Sequence, residues 1–123
     1  MTSLSTSPPL PKRGEIWRVN FDPTIGAEIQ KTRPAVVISS DAVGRLPIKL
    51  VAPITDWKDY YAANIWHVRI DPDADNGLSK VSAVDGLQLR GMDRQRFVHK
   101  LGQVSATQLE EIVLAIAAVI EYP

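Results

Sequence analysis

The side chains that can do chemistry in this chain are arginines, hydroxyls and aromatics rather than thiols or imidazoles. There is no cysteine, which excludes a disulfide framework, a thiolate nucleophile and a cysteine-held zinc. His67 and His99 are the two histidines, too few for a histidine metal cluster. Arg33 reads on its own as a loop-end ion pair, for instance with Glu28, although a planar guanidinium that stays charged at any working pH can also grip two phosphate oxygens. Thr55 closes an apolar run and reads on its own as a strand-end turn bonding to Asp56, although its hydroxyl can also donate to a phosphate oxygen. Trp57, Tyr60 and Tyr61 follow at once. They can stack nucleobases or fill a gap under a long loop. His67 reads as a proton shuttle or as exposed polar surface, and His99 as structural.

These residues need a scaffold, and 123 residues supply one domain. With 45% hydrophobic and 23% charged residues, a packed core is within reach and wholesale disorder is excluded. Fourteen bases balance fourteen acids, so no global charge points to nucleic acid or membrane. The distribution is uneven. Lys12 to Lys49 holds seven bases against four acids, Asp56 to Asp75 two against five, and the tail from Ser105 carries Glu110, Glu111 and Glu121 without a base. The longest strongly apolar run, Ile112 to Ile120, has nine residues, under half of the roughly 20 that span a bilayer. Residues 1–11, with three prolines and no apolar segment, read as a flexible lead-in rather than a secretory signal. A cytoplasmic chain with no membrane partner and one domain over 12–123 is expected.

Glu15 to Phe21 alternates, with Trp17, Val19 and Phe21 on one face and Arg18 and Asn20 on the other, as in a half-buried strand. Pro34 to Ser39 is β-branched and reads as a strand buried on both faces. Ile48 to Ile54 is a third strand in which Pro53 demands an edge or a bulge. Ile65 to Ile70 is a fourth, Ser82 to Arg90 a fifth bulged at Gly86, and His99 to Gln103 a sixth, after a helical turn at 93–97. Ser105 and Gln108 form a capping box for one helix, whose stripe is Leu109, Ile112, Val113, Ile116 and Ile120. Leu114, Ala115, Ala118 and Val119 make its other face apolar too, which predicts cover at a subunit interface. Short strands and a single terminal helix predict a mainly β fold, a small antiparallel barrel.

Arg13-Gly14-Glu15-Ile16-Trp17, Phe21 to Glu28 and Lys31 to Ser39, followed by Val51 to Thr55, Gln88-Leu89-Arg90, Asp93 to Phe97 and the closing helix, strongly resemble the MazF/PemK (Kid) family of bacterial toxins. The ordered set of blocks spans Lys12 to the end. The resemblance implies an SH3-like barrel, a homodimer, and metal-independent, cofactor-free cleavage of single-stranded RNA at short motifs by the adjacent 2′-OH. It also implies products with 2′,3′-cyclic phosphate and 5′-OH ends, and neutralisation by a cognate antitoxin. It places Arg33 and Thr55 at the scissile phosphate. It puts Gly26, Ala27 and Glu28 in the loop that gates the RNA groove, Gln88 at base edges and Arg90 on phosphate; the alternatives are a solvated strand residue for Gln88 and a surface charge for Arg90. Several relatives carry serine at the place of Ala27, and many an acidic residue at that of Leu87. Asp85 is therefore expected either to supply the missing charge near Arg33 or to stabilise a turn. A related barrel that poisons gyrase by protein contact alone is the alternative function.

Overall fold

A computed structural model describes residues 10–43 and 46–123, so most of the expected lead-in lies outside the described residues. Seven strands and one helix follow in order: β1 (Glu15–Asn20), β2 (Thr32–Val37), β3 (Ile48–Asp56), β4 (His67–Ile70), β5 (Ser82–Asp85), β6 (Arg90–Asp93), β7 (Phe97–Gln103) and α1 (Ala106–Val119). The sheet is antiparallel, ordered β4-β5-β3-β2-β1-β7, with β6 also on β3. No pairing between β4 and β7 closes it among the described residues. The loop after β4 nevertheless reaches β7, where the Gln103 N–H donates to the Asp75 carbonyl at 2.9 Å. The fold is barrel-like with a terminal helix, as expected.

Alternation explains the two-sided core. Ile16, Val36, Ala52, Ile54 and Val84 face one way, under Ile112 of α1, while Val19, Phe21, Ala35, Val37 and Val51 face the other, with Met92 and Phe97. The β-branched stretch of β2 is buried on both faces, as its composition predicts. In β1 the expected Trp17–Val19–Phe21 face holds, but Ile16 is buried on the opposite side. Both faces of β1 are buried because a hydrophobic cluster lies on each side of the sheet.

Three expectations need correction. Pro53 lies on no edge: it pairs with Ala35 of β2 inside the sheet. Its other side faces the gap between β6, which pairs up to Val51, and β5, which pairs from Ile54. A residue without an N–H fits where the ladder is interrupted. The expected fifth strand, Ser82 to Arg90, is two strands, β5 and β6, separated by a turn at 86–89. The Asp85 carboxylate accepts from the Leu87 and Gln88 N–H groups at 3.0 and 3.2 Å, which replaces ladder bonds by a local turn. The fourth strand begins at His67, not Ile65, because a 3-10 turn (Asp59–Ala63) folds across the sheet before it.

The capping box of α1 forms, with Gln108 N–H on Ser105 Oγ at 3.1 Å and Ser105 N–H on Gln108 Oε1 at 2.9 Å. Ile112 and Ala115 are buried against the sheet, while Leu114 and Ile120 are 60% and 68% exposed. Of the expected second apolar face, Leu114 and Ala118 are open in the single chain, whereas Ala115 turns to the sheet beside Ile112 and is buried; Ile120 of the expected inward stripe is exposed.

Candidate active site

The β2–β3 pairing runs from Val37–Val51 to Ala35–Pro53, and Arg33 and Thr55 stand two residues beyond its end on the two strands. Both line one cleft, with Arg18, Pro34, Asp56 and Lys80 among its walls. Bases outnumber acids there, and Lys80 lies 3.8 Å from Asp56 across exposed surface. Arg33 Nε donates to the Gln30 carbonyl at 2.9 Å, which fixes the near end of the guanidinium on the loop before β2. Arg33 makes no ion pair with Glu28 among the described residues. Glu28 instead accepts from its own loop, at the Ile25 N–H, 2.8 Å away.

A second cleft adjoins along β3, where Pro53 forms part of its floor. It gathers Ala27 and Glu28 from the β1–β2 loop with Gln88 and Arg90 from the β5–β6 segment. Gly26 holds φ +59° at the loop's bend. Gln88 ties the two sides together: its Oε1 accepts from the Ile29 N–H at 2.7 Å, and its Nε2 donates to Asp85 at 3.3 Å. Arg90 donates to the Phe21 carbonyl at 3.1 Å and so braces the start of the same loop. Both polar ends of Gln88 are therefore engaged, and a ligand would have to exchange these bonds to be read by it.

Asp85 is not brought to Arg33. It is 6% exposed, caps the 86–89 turn and faces His67 Nε2 at 3.6 Å. His67 is not exposed polar surface either. Its side chain is 7% accessible, its Nδ1 meets the Asn64 side-chain amide at 3.1 Å, and its ring stacks on Tyr61 with centroids 3.8 Å apart and planes 18° apart. Burial pushes the Tyr61 phenol above its ordinary range; Tyr60 and the Asp85 charge add to this and the nearby Thr55 hydroxyl opposes it. The phenol thus keeps its proton at neutral pH. Trp57 and Tyr60 pack edge-on to Tyr61, and Arg69 sits over Trp57 at 5.8 Å. His99 is on β7 opposite Arg18 and lines neither cleft.

Sequence reasoning missed Arg18 and Lys80 as cleft walls and the burial of His67. The first was readable in β1, whose alternation turns Arg18 away from Val19. The others depend on where loops fold back. Among the described residues no three His, Cys, Asp or Glu side chains gather as a metal site, and no helix is long and apolar enough to cross a membrane.

Comparison with known proteins agrees with this geometry. The family described as PemK-like, MazF-like toxin of type II toxin–antitoxin system matches residues 12–120. The chain is 34% identical over 114 residues to the endoribonuclease toxin ChpB of Escherichia coli K12, covering 89% of this chain and 94% of that one. It is 31% identical over 108 residues to the endoribonuclease MazF9 of Mycobacterium tuberculosis, covering 82% and 88%. Among solved structures, MazF of Deinococcus radiodurans superposes with a TM-score of 0.75 at 26% identity, over 90% of this chain and 96% of that one. A MazE–MazF structure from the same organism gives 0.70 at 27% identity, over 92% and 97%.

Proposed function

The chain belongs to the PemK-like, MazF-like toxin family of type II toxin–antitoxin systems, and from that premise we infer that it is an endoribonuclease toxin acting on single-stranded RNA. The observation that carries the mechanism is the cleft lined by both Arg33 of β2 and Thr55 of β3. The 2′-OH beside the scissile phosphate attacks phosphorus, the bond to the 5′ oxygen breaks, and a 2′,3′-cyclic phosphate and a 5′-OH result. Negative charge grows on the phosphoryl oxygens in the transition state, and a fixed guanidinium with a hydroxyl donor is suited to stabilise it. Arg33 takes the first role and Thr55 the second. The adjoining cleft holds flanking nucleotides, with Gln88 at base edges, Arg90 near phosphate and the Gly26-Ala27-Glu28 loop above.

The reaction needs no metal in this scheme. Incubating the pure protein with a long single-stranded RNA in EDTA is expected to give cleavage at a few sites, with 5′-OH ends on the products. Cleavage that stops in EDTA and returns with magnesium would overturn it. The relatives' names, endoribonuclease in each case, and the joint placement of Arg33 and Thr55 favour this reading over a toxin that acts by protein contact alone.

Two partners follow. An antitoxin is supported by the MazE–MazF pairing of the D. radiodurans relative; a segment laid over the two clefts would occlude both. A second copy is supported by α1, where Leu114 is 60% exposed beside the exposed Ala118. These residues form a groove with Trp57, Ile65 and Ala62. Burying it would remove apolar surface from water at about 25 cal/mol per Å². Light scattering at tens of micromolar is expected to give the mass of a dimer, and a monomer would show that this face stays open.

A further inference from the structure

Gln88 is held at both ends, and its two partners fix which way its amide points. The Ile29 N–H only donates, so the atom 2.7 Å from it is the Gln88 oxygen, Oε1. The Asp85 carboxylate only accepts, so the atom 3.3 Å from its Oδ2 is the nitrogen, Nε2. Turning the amide over would set donor against donor on one side and acceptor against acceptor on the other. The orientation of this side chain follows from the network around it.

The two partners are not equally firm. Asp85 is buried and paired with His67 across β4 and β5, with His67 Nε2 at 3.6 Å from its Oδ2. Its Oδ1 takes the Leu87 and Gln88 N–H groups. Ile29 belongs to the loop between β1 and β2, where residues 25–28 are exposed. A ligand entering the cleft can take the place of the Ile29 N–H, whereas Asp85 stays in its turn. Such a ligand meets Oε1, with Nε2 still on the carboxylate. Around this oxygen the cleft is lined by Phe21, Pro53, Leu87 and Leu89. Phosphate and sugar hydroxyls lose water against such a wall without regaining hydrogen bonds. A nucleobase buries its flat faces there and needs a partner only at its edge.

We propose that Gln88 is a specificity-determining residue that accepts a hydrogen bond from the exocyclic amine of one nucleobase, with Asp85 as the positioning residue that holds its amide in the accepting orientation. The inference rests on the nuclease reading above and adds to it the chemical class of one base: adenine, cytosine or guanine, each of which carries an amine, rather than uracil. A glutamine free to turn over accepts from an amine or donates to a carbonyl, and so discriminates weakly. One tied to a carboxylate keeps its oxygen toward the base.

The test uses a single-stranded RNA oligonucleotide with one mapped cleavage site, from which the amine of each neighbouring base is removed in turn. Purine riboside replaces adenosine, inosine replaces guanosine and pyrimidin-2-one riboside replaces cytidine. With the wild-type protein, at least one replacement is expected to lower kcat/KM by about tenfold, the order of one lost hydrogen bond. At that position Gln88→Ala should cleave parent and modified RNA within about twofold of each other, since the group that reads the amine is gone. Asp85→Asn should narrow the ratio to about threefold or less, because an amide at position 85 no longer dictates which end of Gln88 faces the RNA. Each ratio compares two RNAs with one preparation, so partial unfolding of a variant leaves it unchanged. Wild-type cleavage indifferent to every amine would overturn the inference and leave the nuclease reading standing. A tenfold preference that survives Gln88→Ala would overturn it as well, and one that survives only Asp85→Asn would overturn the role of Asp85. A wild-type protein that cleaves no RNA removes the nuclease reading and the inference with it.

Discussion

Arg33→Ala is expected to slow RNA cleavage by about 10²–10³-fold, the usual loss when one charge-stabilising donor is removed from a transition state. The same variant should no longer arrest growth when expressed. The fold should be untouched, because among the described residues the side chain makes one hydrogen bond, to the Gln30 carbonyl in a surface loop, and such bonds contribute about 1 kcal/mol. The loss should appear in kcat more than in KM, since the phosphate's charge in the ground state is shared among other bases near the cleft, Arg18 and Lys80. Arg33→Lys separates charge from geometry: it keeps the cation and loses the fork that grips two oxygens, so it should fall between wild type and Arg33→Ala. Cleavage kinetics beside a thermal melt make the check. A folded Arg33→Ala protein that cleaves at the wild-type rate would remove Arg33 from the mechanism.

Why the Arg33–Thr55 pair was legible, while its surroundings were not, has a physical reason. Alternation fixes which face a strand residue occupies, and it served well for Trp17, Val19 and Phe21 and for the doubly buried β2. The resemblance to a known family names Arg33 and Thr55; their strands, paired as far as Ala35–Pro53, carry both to the wall of one cleft. Periodicity says nothing about what folds over a face. His67 reads from the sequence as surface because the 3-10 turn that covers it begins eight residues earlier in a polar stretch. The break between β5 and β6 was hidden for a similar reason. Leu87 and Leu89 have strand composition, and the interruption comes from the Asp85 carboxylate bonding forward to Leu87 and Gln88. That same carboxylate was weighed as a partner for Arg33. The turn reading of Asp85 is the one that fits the geometry.

The wall of the Arg33 cleft depends on a backbone crossing, and Gly77→Ala should damage it more than any exposed substitution would. Gly77, Leu78, Ser79 and Lys80 line the cleft together with Leu101 of β7. Behind them the chain before Gly77 lies against β7 at van der Waals distance. A Cβ on Gly77 would sit 2.2 Å from the Leu101 carbonyl oxygen, and one on Gly102 would sit 2.2 Å from the Asp75 oxygen. Both obstacles are backbone, so neither can rotate aside. The fully buried Asn76 pins the same bend, accepting from the Asp73 and Leu78 N–H groups and donating to the Asp71 carbonyl at 2.9 Å. Gly77 also holds φ +69°, where an L side chain costs about 1–2 kcal/mol, and forced overpacking adds about 1–3 kcal/mol. Gly77→Ala should therefore lose about 2–5 kcal/mol and melt on the order of 10 °C lower. Gly26→Ala is the matched control, with φ +59° and nothing within 4 Å of the added methyl; it should lose only the conformational part. Denaturant melts of the two variants isolate the steric part as their difference. Equal stability of Gly77→Ala and Gly26→Ala would mean that the loop and β7 do not cross as tightly as described, and that the cleft wall has another support.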